Sequence, residues 1–194
     1  MELIYPFDVA PIFPAPTADS SMSLKPGQEF FPVVEPNGMV VARSTRDYCH
    51  SGTKPLHPVV HLHIIDRYSR IYLQKRPMSK CIQPGKWDTA VGGHVSYGEL
   101  FLEALFREAY EELHFNEFNP IHLLVYEFES EVEKELVNVY AAVGNFDLSP
   151  DPEELDGGKW WELDEIDAHI GKGIFTPNFE SEFAMIRSRL LALL

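Results

Sequence analysis

The sequence predicts an α/β protein in which a mixed sheet lies between helical layers. Short β-branched and aliphatic runs precede one amphipathic helical stretch, residues 93–115, and more such runs follow it. The remaining helix-start signals come after the last of those runs. Strands, then a helix, then strands, then terminal helices build a sheet covered by helices. At 194 residues, 45% hydrophobic and 12% aromatic, the chain is long enough for one substantial core and short for two.

Taken in order, residues 1–28 carry Pro6, Pro11, Pro14, Pro16 and Pro26. Proline fixes φ and removes a donor, so an irregular arm is expected there. Two readings of the arm stand side by side: packing through Tyr5, Phe7, Ile12 and Phe13, or a dimer contact. The folded domain is expected over residues 29–194. Residues 29–42 predict a hairpin that turns at Pro36-Asn37-Gly38. Residues 46–58 carry His50 and His57. Residues 59–65 predict a strand, with residues 71–73 as its hairpin partner. His61 and His63 alternate with Val60, Leu62 and Ile64, so they share one strand face, and the pattern assigns them no role. Pro84-Gly85 marks a turn before Trp87. Beyond the helical stretch, strands are expected at residues 121–129 and 133–143, then an acidic loop over 147–158 and a short strand at 160–163. Asp164 is expected to cap one helix, and Thr176-Pro177 to start another that runs to Leu194.

Bulk properties narrow the function. A net charge of −14 argues against binding a nucleic-acid polymer, which needs a basic patch. It leaves room for a small phosphate ligand held by a metal and a few cations. No apolar run approaches the ~20 residues of a membrane span. The N-terminal MELIYPFDVAPIF lacks a basic start and apolar block, and Cys49 and Cys81 form no CxxC pair, so a reducing, cytoplasmic setting is expected.

The helical stretch is where the chemistry concentrates. Glu108 and Glu112 stack one turn apart, with Glu111 beside them. Leu102, Leu105, Phe106, Ala109 and Leu113 fall on a separate, apolar face. Like charges about 4 Å apart repel by about 1 kcal/mol in water and about 4 kcal/mol near a protein surface. A hard divalent cation turns that repulsion into attraction, and Mg2+ and Mn2+ prefer such oxygens. A solvated acidic helix face accounts for the same spacing.

The whole stretch, Gly93, Glu99, Arg107-Glu108 and Glu111-Glu112 at their offsets, resembles the Nudix box. His114 departs from the pattern, which has a helix-capping glycine there. The resemblance implies an α/β/α sandwich over residues 29–194 and a metal-dependent hydrolase. Its substrate would be a small molecule, a nucleoside diphosphate linked to another moiety. ADP-ribose, dinucleotide polyphosphates, coenzyme A, nucleotide sugars and damaged nucleotides all fit that chemistry. Mg2+ or Mn2+ would sit on Glu111 and Glu112, with the Gly93 carbonyl as a further ligand and Glu108 as ligand or general base. Arg107 would orient a box carboxylate, and Glu99 would tie the loop to the helix. Dimers are common in the family, so a homodimer is an expectation too.

The flanks narrow the resemblance to the type 1 isopentenyl-diphosphate isomerase branch. That branch implies a second metal site, for Zn2+ or another divalent ion, on His50, His57, His94, Glu133 and Glu135, and a diphosphate grip by Arg76 and Lys80. The histidines read equally as loop residues, the glutamates as a solvent-facing strand edge, and the two cations as plain surface charge. Gly92 stands where the isomerase has a cysteine that transfers a proton to the alkene. A glycine cannot do so, and the box keeps all its carboxylates. A hydrolase is therefore the reading favoured over an isomerase and over a non-catalytic nucleotide-sensing module.

Overall fold

The computed structural model describes residues 28–80 and 82–194. The expected arm falls outside the described residues but for its last member, and so does Cys81. Strands β1 (Phe30–Val34) and β2 (Val40–Thr45) form the expected antiparallel hairpin, in register from Phe30↔Thr45 to Val33↔Ala42, with a one-residue shift before Val34↔Val40. Its turn closes through Gly38 N–H to the Glu35 carbonyl at 2.8 Å, with Gly38 at φ 82. The next segment is helical. Thr45 caps α1 (Arg46–Tyr48), accepting from the Tyr48 N–H at 3.3 Å, and a wider π turn (Cys49–Thr53) follows.

Strand β3 (Leu56–Ile65) begins three residues before the predicted start, so His57 lies in the strand. Pro58 lacks only a donor there, and its carbonyl accepts from Val95 N–H at 3.2 Å. Next come β4 (Arg70–Lys75), β5 (Trp87–Asp88), β6 (Val91–His94), α2 (Phe101–Leu113), β7 (Ile121–Glu129), β8 (Lys134–Val143) and β9 (Gly158–Glu162). Helix α3 (Leu163–His169) starts one residue before the expected cap. Glu162 takes the cap position, and Asp164 falls in the first turn, where a carboxylate meets the positive end of the helix dipole. Helix α4 (Pro177–Leu191) is capped as expected by Thr176, which accepts from Phe179 N–H at 3.1 Å, and it ends at Leu191. The larger sheet runs β5-β4-β3-β8-β7, with β6 also paired to β3 and β9 to β4.

The described residues gather into two compact units. One takes the chain up to Val59 together with His94–Ala104 and Tyr126–Val137; the other takes Val60–Gly93, Leu105–Val125 and Asn138–Leu194. In the second unit the layers can be derived from strand parity. His61 and His63 on β3 bond to Glu182 of α4, which sets α4 on their face. Tyr72 pairs with Ile64, so Gln74 shares the opposite face, and it bonds to Glu112 of α2. The sheet is thus covered by α2 on one side and α4 on the other. Leu105, Ala109 and Leu113 supply α2's buried stripe, and Phe179, Phe183, Ile186 and Leu190 supply that of α4.

His114 ends α2 as the missing glycine would. It adopts φ 50, its N–H donates to the Tyr110 carbonyl at 2.9 Å, and Phe115 N–H reaches back to Ala109 at 3.1 Å. The bond from His114 to Tyr110 is the single closing bond of an αL cap.

Candidate metal centre and active site

In the first unit, His50 from the π turn, His57 from β3, His94 from β6 and Glu133 from just before β8 converge. Their ligand atoms all lie within 4.8 Å of one another, and among the described residues no other set of three or more does so. His50 Nε2 is 3.1 Å from both His94 Nε2 and Glu133 Oε2. Glu135, buried on β8, approaches His94 Nε2 to 4.0 Å. The second ring nitrogens are already committed. His50 Nδ1–H donates to the Arg46 carbonyl at 2.8 Å, and His57 Nδ1–H donates to the Pro55 carbonyl at 2.9 Å. Each such bond orients its ring so that Nε2 faces the cluster. His57 Nε2 is buried and has no hydrogen-bond partner, which fits a ligand atom. Phe31 holds two of the rings in place, stacking on His94 at 4.5 Å and on His57 at 5.6 Å. The hydrogen bond that Glu133 accepts from His50 raises the His50 pKa, whereas burial lowers that of His57. Imidazoles with carboxylate make a donor set suited to a transition-metal or other divalent ion.

In the second unit, strand β6 brings Gly92 and Gly93 against helix α2. A Cβ on Gly93 would fall 1.9 Å from Glu108 Cδ, so only glycine admits that carboxylate. Gly92 N–H donates to Glu112 Oε2 at 3.1 Å, and Gln74 Nε2 lies 3.4 Å from both Glu112 oxygens. Arg107 Nη1 bridges Glu108 at 2.7 Å and Glu111 at 3.3 Å. Glu111 itself is exposed, so the pair drawn to the glycines is Glu108 and Glu112. Burial, then the charge of Glu108, pushes the Glu112 carboxyl up to about 8 against an ordinary 4.5. A carboxyl held in that way is primed to exchange its proton for a cation.

The other expected site residues are placed as follows. Glu99 accepts from Ser96 N–H at 2.9 Å and so closes the turn ahead of α2. Arg76 reaches Asp88 at 3.5 Å and the Ile82 carbonyl at 3.1 Å. Lys80 is exposed and pairs with Glu154 at 3.4 Å. Sequence reasoning missed Phe31, Gln74 and Asp88, whose types carry no signal without the fold. It also passed over the contact of His61 and His63 with Glu182. One signal was available there: Glu182 falls on the stripe of Phe179, Phe183 and Ile186, an improbable place for a lone carboxylate.

The NUDIX domain family model matches residues 55–179. An uncharacterized Nudix hydrolase of Yersinia pestis is 30% identical over 150 residues, covering 77% of this chain and 81% of its own length. The chain belongs to the Nudix family. An isopentenyl-diphosphate Delta-isomerase of Leifsonia xyli is 28% identical over 145 residues, 71% of this chain and 78% of that protein. The fold is similar to a crystal structure from Deinococcus radiodurans, with a TM-score of 0.68 and 23% identity over 79% of this chain and 96% of that one. Among the described residues, no helix is long and apolar enough to cross a membrane.

Proposed function

We propose that the protein is a metal-dependent pyrophosphohydrolase that cleaves the diphosphate of a nucleoside diphosphate linked to another moiety. The observation that carries this reading is the packing of Glu108 and Glu112 against Gly92-Gly93, with the Glu112 carboxyl raised to about 8. Glu112 and Glu108, with Glu111 and the Gly93 carbonyl at hand, hold Mg2+ or Mn2+. An ion held by these residues would supply charge neutralisation for the diphosphate and a lower pKa for an attacking water. Arg107 holds Glu108 and Glu111 in register for that ion, and Arg76 and Lys80 meet the phosphates as cations. Glu108 is the general base when it is not a ligand.

A second reading rests on the other centre. His50, His57, His94 and Glu133 gather tightly around the unpartnered His57 Nε2, and isomerase-named proteins are among the relatives. An isomerase of isopentenyl diphosphate needs an acid at the alkene, and Gly92 supplies none.

A phosphate-release screen across ADP-ribose, dinucleotide polyphosphates, nucleotide sugars and coenzyme A, with Mg2+ and Mn2+ compared, tests the first reading. Deuterium exchange into isopentenyl diphosphate tests the second. Exchange without phosphate release would replace the hydrolase by the isomerase. Tight binding of one compound with neither reaction would make the protein a sensor.

A further inference from the structure

Glu182 sits in the middle of α4 with no exposure to solvent. Its Oε2 accepts from His61 Nδ1–H at 2.8 Å, and its Oε1 from His63 Nε2–H at 2.5 Å. Burial alone would push this carboxyl up, but the two imidazoles outweigh it and hold it well below the usual range. A buried ionic cluster is a poor way to gain stability, because well-packed apolar side chains of similar volume do as well or better. Its outward contacts point to another use. His63 Nε2 lies 3.4 Å from Thr89 Oγ1, which donates to the Leu62 carbonyl at 3.1 Å. The His61 ring lies under Gly92: a Cβ there would be 3.4 Å from its Cδ2 and 3.6 Å from its Nε2. The residues from Thr89 to Gly93 are therefore clasped between His61 and His63 on the α4 side and Glu108 on the α2 side. From that clasped segment, Gly92 N–H holds Glu112.

We infer that Glu182 is a positioning residue which, through His61 and His63, sets the Thr89–Gly93 segment so that Gly92 presents its N–H to Glu112. Glu182 touches no reacting atom; it acts through two rings and a strand. The role rests on the hydrolase reading for its catalytic consequence, but not for the mechanical link between Glu182 and Glu112.

The test pairs kinetics with ring spectroscopy. Glu182→Gln keeps the volume and removes the charge. On a diphosphate that the wild type cleaves, kcat falls by about tenfold to a hundredfold, KM stays within about twofold, and the protein remains folded. In the wild type, Mg2+ alone shifts the His61 and His63 ring 15N signals, and it does not in Glu112→Gln. An unchanged kcat in folded Glu182→Gln overturns the inference. So do His61 and His63 signals that ignore Mg2+, a result that stands even if the variant fails to fold. A wild type that cleaves nothing would end the hydrolase reading, while the Mg2+ shifts would still decide the link.

Discussion

Replacing Glu112 by glutamine should change how the metal-free protein responds to pH. Glu112 titrates at about 8 in the fold against an ordinary 4.5. The raised value means the folded state binds the proton more tightly than the unfolded chain. The associated stability is fully present below pH 4.5 and is lost as pH rises through that value toward 8. At about 1.4 kcal/mol per pH unit, the whole interval amounts to about 5 kcal/mol, of which about 3 kcal/mol falls between about pH 5 and about pH 8. Glutamine cannot ionise, yet its oxygen still accepts from Gly92 N–H. Urea unfolding of wild type and Glu112→Gln in EDTA reads the effect directly. The variant should gain about 3 kcal/mol on the wild type between those two pH values, and saturating Mg2+ should stabilise the wild type at the higher one. A stability difference that stays constant with pH would refute the raised Glu112 carboxyl.

Other substitutions follow from the same geometry. Gly93→Ala drives a methyl into Glu108 and should abolish hydrolysis, whereas Gly92→Ala meets only ordinary contacts and should keep most of it; equal activities in a phosphate-release assay would count against the packing described. His57→Ala removes a ligand atom from the histidine centre and should weaken Zn2+ or Mn2+ binding there by about tenfold to a hundredfold, as calorimetry can check. His114→Gly relieves a left-handed residue at the end of α2 and should raise stability by about 1 kcal/mol in urea unfolding; a loss would show that the His114 contacts with Ser149 and Asp151 matter more.

Much of this was legible in the sequence because it is periodic or locally signalled. The hairpin announced itself by Asn37-Gly38, β7 by nine residues of strand character, α4 by its Thr-Pro start, and α2 by a stripe that runs from Leu105 to Leu113. Strands β5 and β6, with two and four residues, are too short for any period to show. His57 fell outside the expected strand because the β-branched run begins only at Val59, whereas the strand starts at Leu56. The convergence of His50, His57, His94 and Glu133 was reachable only by resemblance, since no local rule joins residues 83 positions apart. The partners of Glu182 were hidden for the same reason, with His61 and His63 separated from it by 121 and 119 positions, although its place on an apolar stripe was a signal. The strand pattern placed those histidines on one face, and only the fold shows what they face.

The most direct measurement is hydrolysis in 18O-labelled water with Mg2+, followed by mass spectrometry of the phosphate products. The account predicts one 18O atom on a single phosphate for each bond cleaved, and almost no product from Glu112→Gln. Unlabelled products, or undiminished turnover by that variant, would contradict it.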